Sequence, residues 1–272
     1  MKRLAADIKK HLIFIQVAKI NKKVFLPNLL NDFLTLPIRF IILCVVWFAI
    51  FKALNVEVIN SFSVWGMILY YFVFSVILQL TMYYRQLPYV VWSEITKGDM
   101  SRFICRPISY IRYHFFYGLG YTFYSSIICV PAIIIFSLFF LSGIDQLLYL
   151  LLSIVSIIGG IVVTFYIYIN IGLLTFWTES IFGYRDLILH LGAIFAGSII
   201  PLSFMPKTIQ NITMFLPFRY TVFESVCILT RQYFLQEAIF AIVRQCAMII
   251  FLSIFTKVIW KYGINMYEAQ GG

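Results

Sequence analysis

Residues 113–144 read YHFFYGLGYTFYSSIICVPAIIIFSLFFLSGI, thirty-two positions without an Asp, Glu, Lys or Arg. A bilayer hydrocarbon core about 30 Å thick is crossed by about 20 apolar residues of helix, so this stretch is long enough to span one. Pro131 lies near its middle, where it removes a backbone donor and crowds the preceding turn, and a kink is expected there. The flanking sequence repeats the pattern. Residues 58–84 are equally free of charge, and further apolar blocks run over 36–56, 146–177, 187–203 and 238–259. Arg39 and Lys52 sit near the ends of the first block, within snorkelling reach of water, and Arg244 interrupts the last. Six such blocks predict an all-α, polytopic membrane protein with six transmembrane helices.

Composition agrees. Of 272 residues 62% are hydrophobic and 12% charged, against about 25% charged in an ordinary soluble domain, an apolar excess that one globule of this size cannot hide. The net charge of +10 would suggest nucleic acid in a soluble chain. Here the basic residues lie between apolar blocks, so membrane lipids are the expected partner and nucleic acid is not. Soluble enzyme, disulfide scaffold and disordered tail are excluded. The five cysteines form no C-x-x-C pair and imply neither a metal site nor a compartment.

The chain divides into a basic arm, 1–32, and a six-helix domain, 33–272. The arm holds seven Lys or Arg without a sustained apolar run, unlike a secretory signal. Leu4, Ile8, Leu12 and Ile15 share a face opposite Lys9 and Lys10, as in a helix lying on an anionic leaflet; a solvated basic arm is the alternative. Basic residues also gather in the loop after the second block, at Arg85, Lys97, Arg102, Arg106 and Arg112, and at Lys257 and Lys261. The positive-inside rule then predicts cytoplasmic termini in a plasma-membrane protein.

Two connections are too elaborate for plain turns. The loop 85–112 is expected to hold one or two short helices broken at Gly98. The exterior connection after the fifth block contains Pro201, Pro206 and Pro217 around an apolar piece too short to span, which predicts a re-entrant hairpin over 201–218. Arg244, about two turns from the outer end of the sixth helix, either snorkels or donates to the unpaired carbonyls of that hairpin and to Glu224 or Glu237, holding an exterior gate shut.

Catalytic chemistry is missing from the sequence. There is no G-x-x-x-x-G-K-[ST] loop for nucleotide phosphates, and His11, His114 and His190 are scattered, reading as interfacial residues without an H-E-x-x-H. The acids fall at span ends or in loops, against an ion-driven pump. No catalytic, cofactor or metal residue is therefore expected, and such a domain needs a separate motor.

Residues 94–107, E-I-x-x-G-D-x-x-R-F-x-x-R-P, resemble the cytoplasmic loop of ABC transporter permeases of the type 2 exporter class, nearest the small six-helix drug or viologen exporters. Gly197 to Leu202, Pro206 and Leu216 to Phe218 resemble that class's re-entrant segment. The resemblance implies a bacterial permease subunit, not itself an enzyme, paired with a second, identical or paralogous permease. Separate subunits would bind ATP and Mg and drive a hydrophobic or amphiphilic substrate outward. It implies a coupling helix at residues 89–97, with Trp92 as an apolar anchor and Glu94 facing the motor, unless Glu94 pairs with Arg102 or Arg106; Gly98 and Asp99 complete the loop. Tyr117, Tyr121 and Tyr124, on successive turns, are candidates for the substrate path, whereas Gln79 and Asn170 are expected to bond between helices. The other reading is an integral-membrane enzyme acting on lipid, with Glu179, Arg185 and Asp186 as its polar cluster.

Overall fold

A computed structural model describes residues 22–59, 62–104, 109–140 and 145–267. The expected interfacial helix around Leu4 to Ile15 and the loop residue Arg106 lie outside them. The chain forms α1 (Lys22–Leu54), an antiparallel pair β1 (Val58–Ile59) and β2 (Phe62–Ser63), then α2 (Val64–Gln79) and α3 (Met82–Thr96). Next come α4 (Ser101–Ile104), α5 (Tyr110–Phe140) and α6 (Gln146–Leu173), the last prolonged by a 3-10 turn, Leu174–Phe176. After α7 (Phe182–Phe195) the backbone breaks into 3-10 turns Leu202–Phe204 and Pro217–Tyr220 around α8 (Lys207–Thr213). Two further helices follow, α9 (Phe223–Leu229) and α10 (Leu235–Ile264).

Among the described residues four helices are long and apolar enough to cross a membrane: Val64–Thr96, Tyr110–Phe136, Gln146–Phe176 and Leu235–Ile264. The other two predicted blocks are shorter. Phe40–Leu54 is the apolar part of α1, and α7 has only 14 residues, because the chain leaves the helix at Gly197, whose φ is +75°. The second predicted block, in turn, is longer than expected. α2 and α3 run on with a break only at Leu80 and Thr81, giving 33 residues or about 50 Å at 1.5 Å per residue. The loop anticipated from Arg85 therefore starts at Lys97, and residues 89–96 are the end of a long helix. α5 continues through Pro131.

Helix α6 is the hub, packing against α3, α9 and α10. Lipid tails are as apolar as leucine, so helices in a bilayer associate by close packing and by hydrogen bonds rather than by hydrophobic expulsion. The sequence supplies small side chains for this: Ser153, Ser156, Gly160 and Thr164 are buried along one face of α6. At Gly160 a side chain would collide with the backbone carbonyl of Thr221, so glycine alone allows the contact. Apolar residues on the outer faces, such as Ile127 on α5 and Ile250 on α10, stay exposed at 59% and 60%, as surfaces that meet lipid must be.

Where α7 unwinds, its carbonyls need other donors. Tyr70 donates to the Gly197 oxygen at 2.9 Å and Tyr71 to that of Ile199 at 2.6 Å. Both rings belong to an aromatic core with Trp47, Phe62 and Phe204, so packing and backbone satisfaction are met by the same residues of α2.

Candidate functional site

Two regions carry polar chemistry. The first is the broken segment between α7 and α10, which includes the predicted re-entrant stretch. Its centre is an ion pair: Arg219, with its side chain 8% exposed, donates through Nε to Oε1 of the fully buried Glu224 at 2.5 Å. The remaining guanidinium donors reach the Gln210 carbonyl at 3.3 Å, Thr213 Oγ1 at 3.2 Å and the Tyr233 hydroxyl at 2.9 Å. One planar fork thus joins α8, the 3-10 turn, α9 and the approach to α10, a geometry a lysine ammonium would not span. Gln245, 1% exposed on α10, donates to the carbonyls of Ser156 and Tyr220 at 2.9 and 2.8 Å, fastening the segment to α6.

Arg244 was expected in this role and does not fill it. It makes no hydrogen bond or ion pair with the described segment, and its Nε is buried and unpaired. The expected partner Glu224 is taken by Arg219. Glu237 instead accepts from the backbone N–H of Phe234 at 2.9 Å, closing the first turn of its own helix. The prolines act as punctuation: Pro201 and Pro206 precede the 3-10 turn and α8, and Pro217 opens the second 3-10 turn. Arg219 stands among loop residues and lacked the signal that singled out Arg244, a charge inside an apolar run. Gln245 carried no such signal.

The second region is the end of the bundle rich in Lys and Arg, where α3, the α6–α7 connection and α10 converge. Trp92 is not a free apolar anchor: its Nε1 donates to the Glu179 carbonyl at 2.9 Å and its ring meets Phe182 at 5.0 Å. Glu94 makes no ion pair with Arg102, and Arg106 lies outside the described residues. Glu94 Oε2 accepts from the Tyr110 hydroxyl at 2.6 Å and lies 2.9 Å from His114 Nε2. His114, expected at the interface, is 1% exposed because α3 and α5 close over it, and Tyr110 stacks on Trp260 of α10 at 5.1 Å. The chain then reverses at Gly98, with φ +77°, a conformation that suits glycine. Asp99 and Arg102 pair with each other at 2.8 Å.

The polar cluster of the enzyme reading is likewise engaged in structure. Arg185 donates to Asp186 and to the Tyr89 hydroxyl, both at 2.8 Å, and Glu179 contributes its carbonyl to Trp92. Of the path candidates, Tyr117 and Tyr121 lie side by side at 5.6 Å, and Tyr83 of α3 stacks on Tyr121 at 4.3 Å. Tyr124, one turn further along α5, meets Phe123 at 6.2 Å. No group of His, Cys, Asp and Glu suited to a metal ion occurs among the described residues.

A family model described as ABC-2 family transporter protein matches residues 30–271. No curated protein and no solved structure matches the chain.

Proposed function

Because this chain belongs to the ABC-2 family of transporter proteins, we propose that it is the membrane half of an ATP-driven exporter for hydrophobic or amphiphilic molecules. The family is a membrane transporter component that implies an ATP-binding partner. Export direction, cytoplasmic termini and a bacterial plasma membrane belong to the proposal; the clustering of basic residues at one end supports the placement of the termini.

The observation that carries the reading is the bolted basic end. Trp92 on Glu179, Glu94 on Tyr110 and His114, and Tyr110 on Trp260 link α3, α5, the α6–α7 connection and α10. A motor pressing on the turn at Gly98 meets a block that moves together, so force there reaches the hub helix α6. The far end is the gate, held by Arg219 and Gln245. A second permease subunit, identical or paralogous, belongs to the proposal; α7, which has no fully buried residue, is its candidate seat.

The test is reconstitution. The chain co-purified with a Walker-type ATPase is expected to give ATP-dependent export from vesicles, and the chain alone none. Full transport without any nucleotide-binding subunit would refute the proposal.

A further inference from the structure

Where α3, α6 and α7 pack together, just inside the basic end, two arginines share a single bonded acid. Arg185, in the first turn of α7, sends Nη1 to the Tyr89 hydroxyl and to Asp186, each at 2.8 Å, and its guanidinium lies 4.4 Å from the centre of the Tyr89 ring. Tyr89 is one turn beyond Arg85 on α3, which puts their Cβ atoms about 5–6 Å apart on one face. Arg85 and Arg185 accordingly act on each other electrostatically, and both act on the hydroxyl of Tyr168 from α6. These groups have donors to spare. Arg85 makes no hydrogen bond or ion pair with a described residue. Its Nε and that of Arg185 are buried without a partner. Both Nη atoms of Arg85, Nη2 of Arg185 and the Tyr168 hydroxyl are equally unbonded, but they stay accessible, although Tyr168 as a whole is only 4% exposed.

Asp186 has a side chain 53% exposed and is the one acid bonded to the pair among the described residues, so the cluster keeps a net positive charge. Like charges held together in a membrane protein call for a counter-ion. Guanidinium forks from two helices and a hydroxyl from a third converge from different directions. A carboxylate is satisfied by one fork, whereas a phosphate offers three acceptor oxygens and can take donors from all three helices. We propose that Arg85, Arg185 and Tyr168 form a binding site for an anionic phosphate ester, either the head group of an anionic lipid or a soluble phosphate. The apolar flank of α7, where Tyr184 is 49% and Leu187 56% exposed, offers acyl chains a surface beside the phosphate and favours the lipid. The inference rests on the fold and holds whatever the cargo is.

The test follows thermal unfolding of the full-length chain, delipidated in dodecyl maltoside, as ligands are added. Dioleoylphosphatidylglycerol should stabilise it at mole fractions where dioleoylphosphatidylcholine, whose phosphate carries its own cation, and dioleoylglycerol, which has no phosphate, do not. Equal stabilisation by sodium phosphate would assign the site to soluble phosphates, and its absence to the lipid. Arg85→Gln and Arg185→Gln are each expected to raise the half-saturating mole fraction of phosphatidylglycerol about tenfold or more, and Tyr168→Phe by a smaller factor. Without ligand, Arg85→Gln should be at least as stable as wild type, because it removes an uncompensated charge; with phosphatidylglycerol it should be the less stable of the two. An arginine that only supports the fold cannot give that reversal. Equal stabilisation by phosphatidylcholine or dioleoylglycerol, a wild-type response of both Arg→Gln variants, or an Arg85→Gln deficit of the same size with and without ligand would overturn the site.

Discussion

Replacing Glu224 by Gln tests whether the Arg219 fork holds the broken segment closed. The variant keeps the shape of the side chain and removes the charge, leaving a guanidinium only 8% exposed without its counter-ion. Breaking a buried pair from one side costs about 3–5 kcal/mol, which at 1.4 kcal/mol per decade is roughly two to three and a half decades in the closed-to-open ratio. Cys227 reads that ratio directly. It lies on α9 one turn from Glu224, is 1% exposed and touches Gln232. With the other four cysteines replaced, a membrane-impermeant maleimide reaches it only when the segment opens. Labelling of Cys227 in the Glu224→Gln background should therefore accelerate by about a hundredfold or more. The double variant Arg219→Met with Glu224→Leu should fall between this and wild type, since the buried charge is gone while Gln210, Thr213 and Tyr233 still lose a donor. Labelling of Glu224→Gln at the wild-type rate would show that the pair is not what keeps the segment shut.

Arg244→Leu, in the same assay, is expected to leave Cys227 as protected as in wild type, because Arg244 has no bond to the segment. Gly160→Val should prevent the approach of α6 to Thr221 and cost at least about 1–3 kcal/mol of overpacking, read as loss of folded protein after extraction. Trp92→Phe removes one hydrogen bond, about 1 kcal/mol, and should lower transport and substrate-stimulated ATPase activity modestly and together. Glu94→Ala, which strips Tyr110 and His114 of a shared acceptor, should lower both more strongly. Either variant transporting normally with the motor bound at wild-type strength would remove the basic end from the coupling path.

The membrane architecture was readable because apolar length is a one-dimensional property: the charge-free stretches 113–140 and 146–176 appear as long helices wherever they pack. The helix ends were less readable. α3 extends to Thr96 past several polar residues because Trp92 and Glu94 find partners on α5 and on the α6–α7 connection, contacts that no local pattern encodes. α7 stops early for a similar reason, its freed carbonyls being met by Tyr70 and Tyr71 more than a hundred residues away in sequence. The same non-locality explains the exchange of roles at the gate. A charge in an apolar helix, Arg244, drew attention, whereas Arg219 stood among loop residues and Gln245 bore no charge. His114 looked interfacial because its neighbours in sequence are aromatic, and burial by Glu94 and Tyr110 is a property of two helices together.

The Gln245 contact has a consequence for the order in which the protein is made. One amide nitrogen holds carbonyls from Ser156 and Tyr220, 89 and 25 residues earlier in the chain, and it belongs to a helix made after both. Everything it fastens has already been synthesised and handed to the membrane. Until α10 arrives, the Ser156 and Tyr220 carbonyls lack that donor, and the broken segment is joined to α6 by fewer ties than in the finished protein. A nascent chain stalled before residue 235 thus lacks this latch. Closure of the far end by this latch therefore waits on α10.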